Sequence, residues 1–247
     1  MGKIIAFTNQ KGGVGKTTSV ANIGAGLARA GHRVLLLDLD PQANLTKGLG
    51  VMDAEQNVYG ALLGEYALRA YTLRDNLALV AGSPALSGFE KVKGNDLDRE
   101  FLLKDLLAPV RERFDYVLLD CPPALGLITL NAYACADMLF IPLEAQLYAA
   151  DGLEKVLDLV TRVQRRVNPA LTIGGIFFTR FDGRKVLRRE TAEQLRAQYP
   201  GLILQQAVRE SIALSEAPHL GQDIFAYAPG SAGAADYQTL LEEILTR

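Results

Sequence analysis

Cysteine is scarce in this chain of 247 residues: only Cys121 and Cys135 are present, and they form no C-x-x-C pair. That rules out a disulfide framework and a zinc site built on paired cysteines. Long hydrophobic runs are also missing, and nothing approaches the eighteen or so uninterrupted apolar residues of a membrane span. The first residues run directly into a strand-like stretch rather than a cleavable leader, so a cytoplasmic protein is expected. No internal repeat, low-complexity tract or linker interrupts the chain, and a single domain over 1–247 is the expected organisation. Apolar residues make up 49% and charged residues 22%, ordinary values for a well-buried core.

Net charge is nearly absent, at −2, but its distribution is uneven. Between residues 161 and 196 nine Lys/Arg face only three acids, a local +6, while the remainder carries 17 basic and 25 acidic residues, or −8. One basic region on an acidic chain suggests a surface that meets a polyanion.

Short apolar runs recur with helical patterns between them: KIIAFT (3–8), RVLLLD (33–38), LALVAG (77–82), YVLLD (116–120), MLFIPL (138–143) and TIGGIFFT (172–179). Strands that are apolar on both sides belong in a parallel sheet covered by helices on each face. Helical segments are predicted at 17–30, 99–108, 125–135, 148–167, 184–197 and 231–246. The alternation predicts a doubly wound α/β fold, mostly parallel, with ligands at the carboxyl ends of its strands.

The stretch QKGGVGKTT (10–18) sits between the first strand and the first helix, the setting of a phosphate-binding loop. The usual pattern, G-x-x-x-x-G-K-[ST], has Gln10 in place of its first glycine. Gly12, Gly13 and Gly15, with Val14 between them, let backbone N–H groups converge on phosphate oxygens. The helix N-terminus at Thr17 and Thr18 adds partial positive charge. Lys16 would contact the β- and γ-phosphates and Thr17 would coordinate Mg²⁺.

KGGVGKT resembles the deviant Walker A loop of the ParA/MinD superfamily of ATPases, in which a lysine takes the second position. The resemblance implies ATP and Mg²⁺ as cofactors and a homodimer when ATP is bound. It makes Lys11 the signature lysine that reaches the phosphates held by the other subunit. Two triphosphates face to face concentrate negative charge, and a lysine given in trans makes pairing depend on ATP. VLLLDLDPQAN (34–44) is similar to the family's switch I, with Asp40 matching the catalytic aspartate that orients the attacking water and Asp38 a candidate for outer Mg²⁺ contact. Taken alone, two aspartates after a strand fit a loop cap equally well. YVLLDCPP (116–123) resembles a Walker B strand and switch II, with Asp120 holding Mg²⁺ through water. The catalytic assignments are thus Lys11, Lys16 and Asp40.

IPLEAQLYAADGL (141–153) and the segment 208–237 are similar to the ParA/Soj branch of DNA-segregation ATPases, with Ala207 and Glu210 as departures from its pattern. The branch places Thr179, Arg180 and Val208 beside the nucleotide base. It also implies non-specific binding of double-stranded DNA by the ATP dimer, a nucleoid-associated location, and hydrolysis stimulated by a ParB/Spo0J-like centromere-binding partner. Arg184 and Arg188, like Lys185 and Arg189, are spaced one helical turn apart and would share a face suited to phosphate contacts. A solvated basic helix face is the alternative. Arg209 matches a DNA-contacting arginine of the family. No helix-turn-helix precedes the loop, so the short chromosomal form is expected.

Other classes make different demands. A MinD-like membrane ATPase needs a basic amphipathic C-terminal helix, whereas the polar positions of DYQTLLEEILTR include Glu242 and Glu243; no membrane partner is expected. An iron–sulfur ATPase needs interface cysteines at spacings that Cys121 and Cys135 do not match. A ParA-like ATPase that positions a protein cargo on the nucleoid would share every motif above.

Overall fold

The computed structural model describes residues 2–147 and 149–247. Seven strands form one sheet: β1 (Lys3–Phe7), β2 (Val34–Asp38), β3 (Tyr71–Arg74), β4 (Leu77–Val80), β5 (Tyr116–Asp120), β6 (Met138–Leu143) and β7 (Thr172–Phe178), in the order β3-β4-β2-β5-β1-β6-β7. Every pairing is parallel except β3 with β4. The doubly wound, mostly parallel sheet matches the expectation. β3 was not legible in the sequence, being a four-residue edge strand with no buried residue.

The helices are α1 (Lys16–Arg29), α2 (Asn44–Gly48), α3 (Val58–Leu63), α4 (Phe89–Lys93), α5 (Leu102–Leu107), α6 (Leu127–Cys135), α7 (Ala149–Arg166), α8 (Val186–Gln198), α9 (Ile212–Glu216), α10 (Ile224–Tyr227) and α11 (Ala232–Leu245). The helix predicted from 148 begins at a position, Tyr148, outside the described residues. The helix predicted at 184–197 starts two residues later, because Asp182 accepts hydrogen bonds from the backbone and side chain of Arg184 and holds a turn there.

Alternate residues of each strand serve opposite faces, as the period of two requires. Ile4, Ala6, Leu35, Leu37, Val117 and Leu119 pack with α5, α6 and α7. Ile5, Phe7, Val34, Leu36 and Leu118 pack with α1 and α11. The first helix lies very close to the sheet: a Cβ on Gly24 would fall 2.5 Å from Leu36 Cδ2, so any side chain there would have to displace the buried Leu36. Leu240, Leu241 and Ile244 give the apolar side of α11 to this core. No helix among the described residues is long and apolar enough to cross a membrane.

The order of the strands fixes where a ligand can sit. From β1 the chain crosses to β2 on one side of it, and from β5 it crosses to β6 on the other. The switch between these directions opens a crevice at the carboxyl ends of the central strands. Phe7, Asp120 and Asp38, the last residues of β1, β5 and β2, stand in register there.

Candidate functional site

The loop between β1 and α1 turns through two left-handed glycines, Gly13 (φ 75°) and Gly15 (φ 82°). A side chain would be strained at either. No atom lies within 4 Å of a Cβ built on Gly12 or Gly13, so this stretch of backbone borders open space. That space is a cavity of about 890 Å³ reaching Asp40, Asn44 and Lys47.

The loop's two lysines point to different places. Lys16 is buried, and its ammonium donates to the carbonyls of Asn9 and Lys11, both at 3.1 Å. Burial pushes its pKa down, while the charge of Asp120 opposes that shift. Lys11 turns outward and is 54% exposed. Its ammonium donates to Gln146 Oε1 at 2.5 Å and lies 3.9 Å from Glu144 Oε2, beyond the end of β6.

Three strand-end groups face the loop. Thr17 donates its hydroxyl to Asp120 Oδ2 at 2.7 Å. Asp120 is wholly buried, and its other oxygen has no hydrogen-bond partner among the described residues. Burial first, and the neighbouring Asp38 next, push its carboxyl well above the usual range. An orphaned carboxylate oxygen beside a hydroxyl fits a divalent cation that completes its shell with water and phosphate oxygens. Asp38 is buried as well, its pKa raised to about 6, chiefly by desolvation. It accepts from the backbone N–H and hydroxyl of Thr46, at 2.9 and 2.6 Å, and from Asp40 N at 3.2 Å. Asp38 therefore ties down the loop that carries Asp40. Asp40 lines the large cavity and accepts from Gln42 N at 2.9 Å.

A second cavity of about 360 Å³ adjoins the loop, and there Thr179, Arg180 and Val208 meet. Thr179 donates to the carbonyl of Val14 at 2.8 Å, fixing the end of β7 to the loop. Val208 donates to Phe178 O and accepts from Phe181 N, extending the sheet edge. Arg180 holds a left-handed backbone (φ 48°) and pairs with Glu210 at 3.3 Å. Pro218 and Tyr237 also line this cavity, and Lys47 and His219 line the larger one. Sequence reasoning missed all four, since no local pattern links 47 or 218–237 to the loop.

The basic residues divide. Lys185 caps α8, and the amide of Arg189 bonds to its carbonyl, so these two do lie one turn apart. Arg184 precedes the helix and binds Asp182, which corrects its expected place on a helical face with Arg188. Arg188 donates to the carbonyl of Arg180. Arg209 is gripped by Asp236 of α11 through Nε and Nη2, with its side chain still 58% exposed.

The family described as "AAA domain" matches residues 2–173. The chromosome-partitioning ATPase Soj of Treponema pallidum is 43% identical over 100% of this chain and 98% of its own. The sporulation initiation inhibitor protein Soj of Bacillus subtilis is 41% identical over 99% and 98%. This chain belongs to the Soj/ParA family of partition ATPases. Among solved structures, cobyrinic acid a,c-diamide synthase from Mycobacterium smegmatis, with bound ATP analogue and magnesium, superposes with a TM-score of 0.89 at 32% identity, over 99% of this chain and 94% of that one.

The family match ends before Thr179, so in this Soj/ParA chain it does not reach the second cavity or the basic residues from Arg184 onward. The two cysteines of the Soj/ParA chain are buried, and burial pushes both thiols up in pKa, so neither offers a thiolate.

Proposed function

We propose that this partition ATPase is a nucleotide-timed DNA anchor in which residues 1–247 act as one unit. ATP binds along residues 12–18, with the loop amides and Lys16 on its phosphates and its base in the cavity bordered by Thr179, Arg180 and Val208. Thr17 and Asp120 hold Mg²⁺, with Asp38 keeping the neighbouring loop in place. Mg²⁺, when bound with the triphosphate, neutralises charge that builds on the phosphate oxygens during transfer. Asp40 orients the attacking water and accepts its proton.

Lys11 acts on a second copy of the chain. Support comes from one observation above the others: a single loop turns Lys16 inward and Lys11 outward, with Lys11 half exposed. Two such protomers facing each other give each triphosphate a cation from its twin, so pairing follows nucleotide occupancy. The paired chains present Lys185, Arg188, Arg189 and the free side of Arg209 to DNA phosphates. Joining two weak surfaces raises avidity without a new contact type. A ParB-like centromere-binding partner stimulates hydrolysis, and the separated protomers leave the nucleoid.

Size-exclusion chromatography with a non-hydrolysable ATP analogue and Mg²⁺ tests the scheme. The unaltered chain is expected to elute as a dimer and Lys11→Ala as a monomer that still binds nucleotide. A dimer peak unchanged in Lys11→Ala removes the role given to that lysine.

A further inference from the structure

Glu144 has no part in the scheme above, yet it is a buried acid near the loop with two cations beside it. Its side chain is 6% exposed, and two cations converge on it. Lys11 Nζ lies 3.9 Å from Oε2, and Arg180 Nη1 lies 3.5 Å from Oε1. Gln146 bridges the gap: its amide N–H₂ donates to Glu144 Oε2, and its Oε1 accepts from Lys11 at 2.5 Å. The carboxylate thus orients the Gln146 amide, and the amide holds the lysine.

We propose that Glu144, acting through Gln146, is a positioning residue that holds Lys11 on its own protomer and so sets how much nucleotide is needed before two chains pair. The proposal rests on the trans role given to Lys11. A Lys11 that swings from Gln146 of its own chain to phosphates on another gives up this hydrogen bond, so each dimer formed that way breaks two of them, one per protomer. Arg180 draws on the same carboxylate from the wall of the second cavity, and Glu210 draws on Arg180 in turn at 3.3 Å. The strength of the hold on Lys11 is thereby linked to the base pocket.

Partly exposed interactions of this kind contribute at most a few-fold each, so releasing Lys11 is worth roughly threefold per lysine and about tenfold in the dimer dissociation constant. Sedimentation of the full chain with ATPγS and Mg²⁺ measures that constant. Glu144→Gln and Gln146→Ala are expected to tighten pairing by about that factor, whereas Gln146→Glu, which places a carboxylate directly on Lys11, is expected to weaken it. A purely structural role would make all three weaken pairing, and that pattern, or three unchanged constants, overturns the proposal. Reductive methylation of the nucleotide-free monomer, mapped by mass spectrometry, supplies an arm that needs no pairing. Lys11 should react faster in Glu144→Gln and Gln146→Ala than in the unaltered chain, and equal rates overturn the hold itself. If the unaltered chain fails to dimerise with saturating analogue, the trans role falls, while the methylation rates still judge the hold.

Discussion

Two carboxylates, Asp38 and Asp120, are buried side by side at the ends of paired strands, and among the described residues neither has a cationic side chain in hydrogen-bond or ion-pair contact. Desolvation dominates both, raising Asp38 to about 6 and Asp120 in the same direction, with hydrogen bonds from Thr46 and Thr17 offsetting only part. In the unfolded chain each returns to about 4, so the folded chain binds more protons between about pH 4 and pH 6. The stability from this source is fully present below pH 4 and lost as pH rises through about 6. For Asp38 the shift corresponds to about 3 kcal/mol. Urea unfolding of the nucleotide-free chain should therefore give a lower stability at pH 7.5 than at pH 5, with Asp38→Asn losing much of the difference. An identical pH dependence in the variant would show that Asp38 is not strained. At this scale the sequence was informative where chemistry is local: the spacing of Lys16 and Thr17 and the strand-end position of Asp120 announced themselves. The tie from Asp38 to Thr46 joins residues eight apart through a fold-dependent turn, and the orphaned Asp120 oxygen reflects packing that no spacing encodes.

Among the elements, the central strands were legible because burial on both faces writes an unbroken apolar run. β3 was not, because an edge strand with an exposed face can be polar. The short α2, α9 and α10 escaped for a related reason: four or five residues carry no helical period. The start of α8 has a functional consequence. Because the helix begins at Val186, Arg184 is bound to Asp182 while Lys185 and Arg189 share a face. Lys185→Glu with Arg189→Glu is the cleaner charge reversal, since reversing Arg209 would also break its pair with Asp236 and unsettle α11. The double variant should weaken DNA binding of the ATP state on all sequences alike. Its affinity should also fall less steeply with salt, by about one unit of log–log slope for each DNA phosphate that the variant no longer neutralises. Fluorescence anisotropy across a salt series measures both, and an unaltered slope would make this a solvated face and nothing more.

For the molecule as a whole, the distances between its parts determine what hydrolysis can control. The catalytic candidate Asp40 lines the large cavity and the pairing candidate Lys11 turns outward to Gln146, whereas Lys185, Arg188 and Arg189 lie on α8 and its preceding turn. In the proposed scheme a chemical step at the first place releases DNA at the second by separating protomers, since pairing would supply the avidity. Asp40 is well placed to time that step: Asp38 and Thr46 pin its loop, its own Oδ1 accepts from the Gln42 amide, and the residue lines the large cavity. Asp40→Ala removes a proton acceptor without disturbing the phosphate loop. Hydrolysis should fall by about 10²-fold or more, while ATP-dependent pairing persists. DNA complexes formed by the variant with ATP should then outlast those of the unaltered chain, and addition of a centromere-binding partner should no longer shorten them. A variant that holds DNA longer yet hydrolyses ATP at the normal rate would break the link between turnover and release, and with it the idea that Asp40 sets the clock.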